Sequence, residues 1–347
     1  MMKRKKIYKP NYNLAESKAI EFLKQLETKE LPIKLIKFKN VFDDLEIKTY
    51  SWYSRTMGLT IEKVCEHFGS EDGCCIYSES NGVYRIYYND TIENEGRKRW
   101  TIAHELGHYA LKHPEMHGCS IMRRLDIPDE KYNIFEKEAN CFARNLLAPP
   151  HIIFHLDEKD PYIIEHVCKV SAEAAHNIWR FLSRGIREYG IGYSTDYVEK
   201  LGFKDFLNLV NNRYYCKNCK VYYTIDTPSY CSCCGKKSLT KSIYTFGDEF
   251  EMKYPAVIKV DCKGRAKICP RCENEELDYE GNYCNVCSAY LANECANTYD
   301  DEGFLIQSCG TSLSGNARYC HKCGNRSTFL DNKYLNEWNY KDEDFPF

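Results

Sequence analysis

Residues 101–108 read Thr-Ile-Ala-His-Glu-Leu-Gly-His. This stretch restricts the fold more than any other, because His-Glu-x-x-His is a usable arrangement only on a helix. At ~100° per residue, His104 and His108 lie about 40° apart and one turn up the same face, so two imidazoles can meet one ion. Glu105 points roughly 100° away from His104, off the ion but within reach of a water bound to it, as a hydrolytic general base must be. Trp100, Ile102, Ala103, Leu106, Ala110 and Leu111 make the helix apolar on most sides. That predicts burial, and buried histidines need partners. Gly107 is unfavourable by ~1 kcal/mol relative to Ala in a helix interior, so it implies close approach of another backbone or open space for a reacting group.

A catalytic zinc takes three protein ligands and keeps one position open, so a third ligand has to come from elsewhere in the chain. Residues 133–147 read NIFEKEANCFARNLL, with Ile134, Phe135, Ala139, Phe142, Ala143, Leu146 and Leu147 at helical spacing and Pro149-Pro150 ending the run. Glu136 and Asn140 share one face. The first offers a carboxylate to a metal, and the second, one turn later, an amide to orient a ligating histidine. Glu138 projects about 200° from Glu136, so one of the two is a ligand and the other reads as a solvated charge.

The stretch GRKRWTIAHELGHY (Gly96 to Tyr109), followed by EKEANCFARNLLAP (Glu136 to Pro149), resembles the ImmA/IrrE family of zinc metallopeptidases. The likeness runs over residues 30–190. It implies a gluzincin-type, zincin-like protease core with His104 and His108 as zinc ligands, Glu105 as base, and a glutamate of the second helix as third ligand. Related gluzincins place that glutamate four residues before an Asp or Asn, which selects Glu136 over Glu138. The substrates it implies are repressors that silence mobile elements or stress genes.

Around this centre the sequence predicts a helix over Leu14–Leu26, another over Ile61–Phe68, and strands at Cys75–Tyr77 and Val83–Tyr88 about an Asn81-Gly82 hairpin turn. By the resemblance, the second strand lies along the cleft and pairs with an extended substrate. His113, His117, Tyr109 and Tyr132 are candidate donors to a developing oxyanion. Met122–Asp129, with Arg123-Arg124 and Pro128, reads as a loop over the cleft. From Asp160 to Ile186 two helices flank a turn with Ser171 as cap, which is helix-turn-helix spacing. Glu173, His176, Asn177, Arg180 and Arg184 on the second of these helices make either a DNA-reading face or part of a helical subdomain that packs on the protease and meets a protein substrate.

The remaining half is dominated by cysteine. The chain has 20 cysteines, many as Cys-x-x-Cys pairs, a spacing that binds zinc in a reducing compartment. Cys216, Cys219, Cys231 and Cys234 form one zinc-ribbon set, with Cys233 spare, and Cys269, Cys272, Cys284 and Cys287 form a second at the same interval. A third, Cys295, Cys309, Cys320 and Cys323, lacks the first Cys-x-x-Cys pair. Such closed sites fold small modules rather than catalyse. Cys65, Cys74, Cys75, Cys119, Cys141 and Cys168 read as reduced thiols. Residues 213–245 carry six Lys/Arg against one acidic residue, whereas residues 246–347 carry eleven against eighteen, so only the first ribbon is suited to touch phosphate.

Net charge is −2, which gives no global drive toward nucleic acid or membrane. No run approaches the ~18 apolar residues of a membrane span, and the basic start is followed by polar residues rather than a signal-peptide core. The expectation is an α+β chain located in the cytoplasm. Its parts are an N-terminal helix (1–30), a zincin-like metalloprotease core with a small antiparallel sheet and active-site helix (31–150), a helical HTH-like subdomain (151–212), zinc ribbons (213–245, 246–290, 291–330) and an acidic tail (331–347). One catalytic and two to three structural zinc ions follow. The expected activity is endopeptidase cleavage of a helix-turn-helix repressor. The rival from another class is a regulator that binds DNA or a protein without proteolysis, against which the intact Glu105 speaks.

Overall fold

The computed structural model describes residues 9–27, 29–117, 129–242, 257–277, 281–299, 302–303, 305–307 and 309–339. The chain divides at Asn211/Asn212 into two compact units.

In the first unit, α1 (Tyr12–Gln25) starts where the Asn11 side chain accepts the Leu14 N–H, a polar N-cap that satisfies an otherwise orphaned donor. Its apolar stripe buries Ala15, Ala19, Phe22 and Leu23. A 3-10 turn (Leu35–Asn40) leads to β1 (Leu45–Thr49), α2 (Tyr50–Met57), α3 (Ile61–Phe68), β2 (Gly73–Ser78) and β3 (Val83–Tyr88). Gly82 makes the tight β2–β3 turn at φ +69°. The sheet order is β1-β3-β2, with β3 antiparallel to β2 and parallel to β1, pairing Leu45 with Tyr84 and Ile47 with Ile86. The sheet is therefore mixed, not antiparallel as the hairpin alone suggested. The strand that was missed has only five residues and reaches its partner through two helices, so no local turn signal announces it. A second correction follows: both edges of β3 are taken, which leaves it no backbone groups for an incoming strand.

Next come α4 (Glu95–Ala110), α5 (His113–His117), α6 (Asp129–Leu147) and α7 (Pro150–Ile153), then α8 (Pro161–Cys168), α9 (Ala172–Tyr189), α10 (Thr195–Leu201) and α11 (Lys204–Asn211). Phe22 of α1 packs edge-on against Phe142 of α6 and Tyr109 of α4, at 5.1 and 6.0 Å between centroids, joining the three helices in one core. Ser171 caps α9 by accepting the Ala174 N–H, and α9 turns Ala175, Ile178 and Leu182 inward. The anticipated loop at 122–129 falls almost wholly outside the described residues, as do Cys119 and the His117 side chain.

In the second unit, β5-β4-β6 (Tyr222–Thr224, Arg213–Cys216, Leu239–Lys241) form a small sheet, β7 (Thr298–Tyr299) pairs with β8 (Leu305–Gln307), and α12 spans Thr328–Asp331. Five Cys-x-x-Cys segments share one local structure. The N–H of Cys216, Cys231, Cys269, Cys284 and Cys320 bonds the carbonyl five residues on, at 2.7–3.0 Å, and the residue four on bonds back at 2.8–2.9 Å. That returning residue always has a left-handed backbone: Lys220, Gly235, Glu273, Ser288 and Gly324. Two of these knuckles interlock. Ser229 and Tyr230 donate to the His321 carbonyl while Arg318 and Tyr319 donate to that of Ser232. Tyr319 lies over Gly235 and Tyr230 over Gly324, so near that an added Cβ would stand 2.8 and 2.6 Å from the rings. The stretch from 331, read as an acidic tail, opens with packed residues: Leu335 is buried with Phe329 against Cys269 and Cys284, and Trp338 packs on the first cysteine cluster. The Lys341–Asp344 run lies outside the described residues.

At Gly107, α4 packs directly on the backbone of α6. A Cβ there would stand 3.0 Å from both Cα and O of Ala139, backbone atoms of a buried helix that have little room to yield. Gly107→Val is expected to destabilise the chain by ~1–3 kcal/mol, the usual cost of overpacking, despite relief from glycine's poor helix propensity. A thermal or urea unfolding curve unchanged from the parent would contradict this.

Candidate active site

The α4–α6 crossing brings three of the anticipated side chains together. His104 and His108 Nε2 are 3.0 Å apart. Glu136 Oε2 lies 3.3 Å from His104 Nε2, and Oε1 lies 3.4 Å from His108 Nε2. Zinc with ligands at ~2.0–2.1 Å in a tetrahedron would space them ~3.3 Å apart, so the donor set fits that ion in both chemistry and size. His108 is buried and Glu136 part exposed, with side chains 2% and 28% accessible, so the group opens to solvent on the Glu136 side. Glu105 lies on the adjacent face of α4 and is buried.

Each imidazole is held by its second nitrogen. His104 Nδ1 donates to Asn140 Oδ1 at 3.1 Å. His108 Nδ1 faces His113 Nδ1 at 3.0 Å, and His113 Nε2 faces Glu138 Oε2 at 3.0 Å. With both Nε2 atoms turned to the ion, only one proton arrangement satisfies this chain: His108 donates to His113, and His113 donates to Glu138. Glu138 Oε1 in turn accepts the Asn11 backbone N–H at 2.6 Å. Two expectations are corrected here. His113 is buried behind the ligand and does not face a reacting carbonyl, and Glu138 is a buried anchor rather than a solvated charge. A histidine five residues after the motif and a glutamate two after Glu136 were visible, but nothing in the spacing says that α5 folds back onto α6. Tyr109 is also occupied elsewhere, its hydroxyl donating to Asp44 at 2.6 Å.

The charges follow from burial and contact. Burial, only partly opposed by His104, pushes the Glu105 carboxyl up to about 7; its carboxylate also accepts the Cys75 N–H of β2. Burial alone would raise Glu136, but the two imidazoles outweigh it and hold the group well below the usual carboxylate range. Burial pushes His108 down to about 4, with Glu136 only partly offsetting it. For His104 burial acts the same way but is overcome by Glu136 and Glu105, leaving it raised to about 9. His113 is lowered by burial more than Glu138 raises it, consistent with a neutral ring that accepts from His108. A base near neutrality beside an ionised ligand is the electrostatic pattern that water activation requires.

The three cysteine sets also converge, in closed sites. Sγ–Sγ separations are 3.7 Å (Cys216–Cys234), 3.5 Å (Cys219–Cys231), 3.6 Å (Cys269–Cys287), 3.7 Å (Cys272–Cys284), 3.3 Å (Cys295–Cys323) and 3.6 Å (Cys309–Cys320). Zinc thiolates at ~2.3 Å require ~3.8 Å, whereas a disulfide requires ~2.05 Å. The four sulfurs of each set fit zinc, the irregular third set included. Cys233 is buried beside the first set but is not one of its four.

Replacing His113 by Phe keeps the ring stack on Phe135, now 4.2 Å between centroids, and removes the acceptor for His108. Zinc affinity at the His104/His108/Glu136 group is expected to fall about 10–100-fold, read by chelator competition, with the thiolate sites unchanged. An unaltered competition curve would remove His113 from the site.

Residues 66–179 match the family model of the M78 peptidases, the IrrE N-terminal-like domain. The match begins in α3 and ends within α9, so it holds β2, β3, α4 and α6 and with them His104, Glu105, His108 and Glu136. It covers about a third of the chain and leaves α1, β1 and the cysteine-rich unit outside. No curated protein matches the chain. Over residues 66–179, then, the chain is similar to the IrrE N-terminal-like domain of the M78 metallopeptidases.

Proposed function

We propose that this chain is a zinc endopeptidase of the cytoplasm that cleaves a helix-turn-helix repressor, with a zincin-like core as its catalytic part. The observation that carries the reading is a buried carboxylate, Glu105, raised toward neutrality, beside two imidazoles and an ionised carboxylate spaced for one tetrahedral ion. His104, His108 and Glu136 would hold that ion. A bound zinc would supply Lewis acidity there, polarising the scissile carbonyl and favouring deprotonation of the attacking water. Glu105 takes the proton from the attacking water and returns it to the leaving amine nitrogen. Asn140 and the His113–Glu138 pair keep the imidazoles in the tautomer that presents Nε2. The Cys75 N–H fixes the orientation of the base. Because β3 is paired on both sides, the strand best placed to align a substrate backbone is β2, which runs past Glu105.

A non-proteolytic regulator needs no base in that position, which favours hydrolysis over the rival reading. The cysteine modules, closed to catalysis, would recruit or sense the substrate, and α8 with α9 would form the helical subdomain that meets it. A cytoplasmic location is supported by cysteines that are unbridged and spaced for metal. No helix among the described residues is long and apolar enough to cross a membrane.

Glu105→Gln, which keeps the volume and all three ligands, is expected to slow cleavage about 10²–10⁴-fold while zinc content holds. The measurement is co-expression of parent and variant with a helix-turn-helix repressor that the parent chain cleaves, followed by gel and mass analysis; an unchanged cleavage rate would refute the mechanism. Metal analysis of the purified chain is expected to give one zinc for each of the four groups, and one fewer when His104 and His108 are both replaced by Ala. A loss of two or more ions would show that the sites are not independent.

A further inference from the structure

A cavity of about 1130 Å³ lies in the first unit, lined by residues next to the metal group in α4 and α6. Its floor is made by Trp100 of α4 with Lys137, Asn140 and Arg144 of α6, and its far wall by Ile178 and Phe181 of α9. Asn140 lines this cavity and also bonds His104, so one side chain separates the cavity from a ligand. Trp100 shares the α4 stripe of His104 and His108, one turn before the first ligand. At ~1.5 Å per residue that is ~6 Å along the axis, about two residues of an extended chain at ~3.3 Å each.

Resting on the peptidase reading, we infer that this cavity is the specificity pocket of the protease, and that it takes a large apolar substrate side chain next to the scissile bond with an acidic residue beside it. Phe181 is 53% exposed although it lies over an apolar hollow, and the Arg144 guanidinium stacks on its ring at 4.3 Å. An exposed aromatic held under an arginine is the kind of anchor that interfaces use. The rim is unbalanced in charge. Arg97 is paired with Asp72 at 2.8 and 3.0 Å, but Lys137, Arg144 and Arg180 face a single carboxylate, Glu173. A carboxylate on the substrate fits that rim and a lysine is repelled by it. Substrate choice thus lies with α6 and α9 together, the first supplying Lys137 and Arg144 and the second Phe181 and Arg180.

The test uses the full-length, zinc-loaded Glu105→Gln chain and two dye-labelled octapeptides, each with one central Phe flanked by Glu or by Lys and Ala elsewhere. The Glu peptide is expected to bind about tenfold tighter by anisotropy, with the order inverted in a K137E/R144E double variant. Phe181→Ala, at a half-exposed position that the core does not depend on, is expected to weaken the Glu peptide about tenfold. Failure of both peptides to bind, or an order of affinities that survives charge reversal, overturns the pocket. Hydrolysis of the Glu peptide by the parent chain is scored separately: charge-dependent binding without cleavage keeps the pocket and removes the peptidase reading.

Discussion

Everything at the metal group depends on how near two helices come. Histidines on α4 and a glutamate on α6 can meet one ion only if the helix backbones nearly touch, and Gly107 against Ala139 is what allows it. Helices that carry ordinary side chains at the crossing stay 8–10 Å apart, and a carboxylate on a short stem would not span that gap to both imidazoles. The apolar packing around the crossing, from Phe22, Phe142 and Tyr109, holds the approach in place. The same core that stabilises the unit therefore also sets the ligand distances.

Burial has a second consequence. Taking three titratable groups out of water is costly unless each is bonded, and here each is. Asn140 answers His104 and His113 answers His108, while Glu138 anchors His113 and is itself tied to the backbone of Asn11 just before α1. The N-terminal helix, which lies outside the matched family segment, is thus tied at its start to Glu138, which reaches the ligand His108 through His113. Its packing on α6 is more than a covering for apolar surface.

Much of this was readable from residue spacing. The His104/Glu105/His108 trio is a property of helical periodicity, and α1, α3, β3, α8 and α9 follow from apolar stripes, caps and turn residues whose effects are local. The grouping of the cysteines was legible for the same reason, since a knuckle closes within six residues. What could not be read was long-range. β1 joins the sheet from beyond two helices, the His113–Glu138 bond needs α5 to fold back onto α6, and the Phe181 wall needs α9 to lie beside α4. Each depends on where elements dock, which neither periodicity nor composition encodes residue by residue.

The interlocked knuckles of the first and third cysteine sets carry a consequence for how the second unit comes apart. Tyr230 and Tyr319 each cap the opposite loop, and Phe329, Leu335 and Trp338 thread the second and first sets into the same fabric. Modules strung like beads surrender their ions one by one as zinc becomes scarce. Modules clasped in this way share a fate, so scarcity would act on them as a threshold, intact on one side and collapsed on the other.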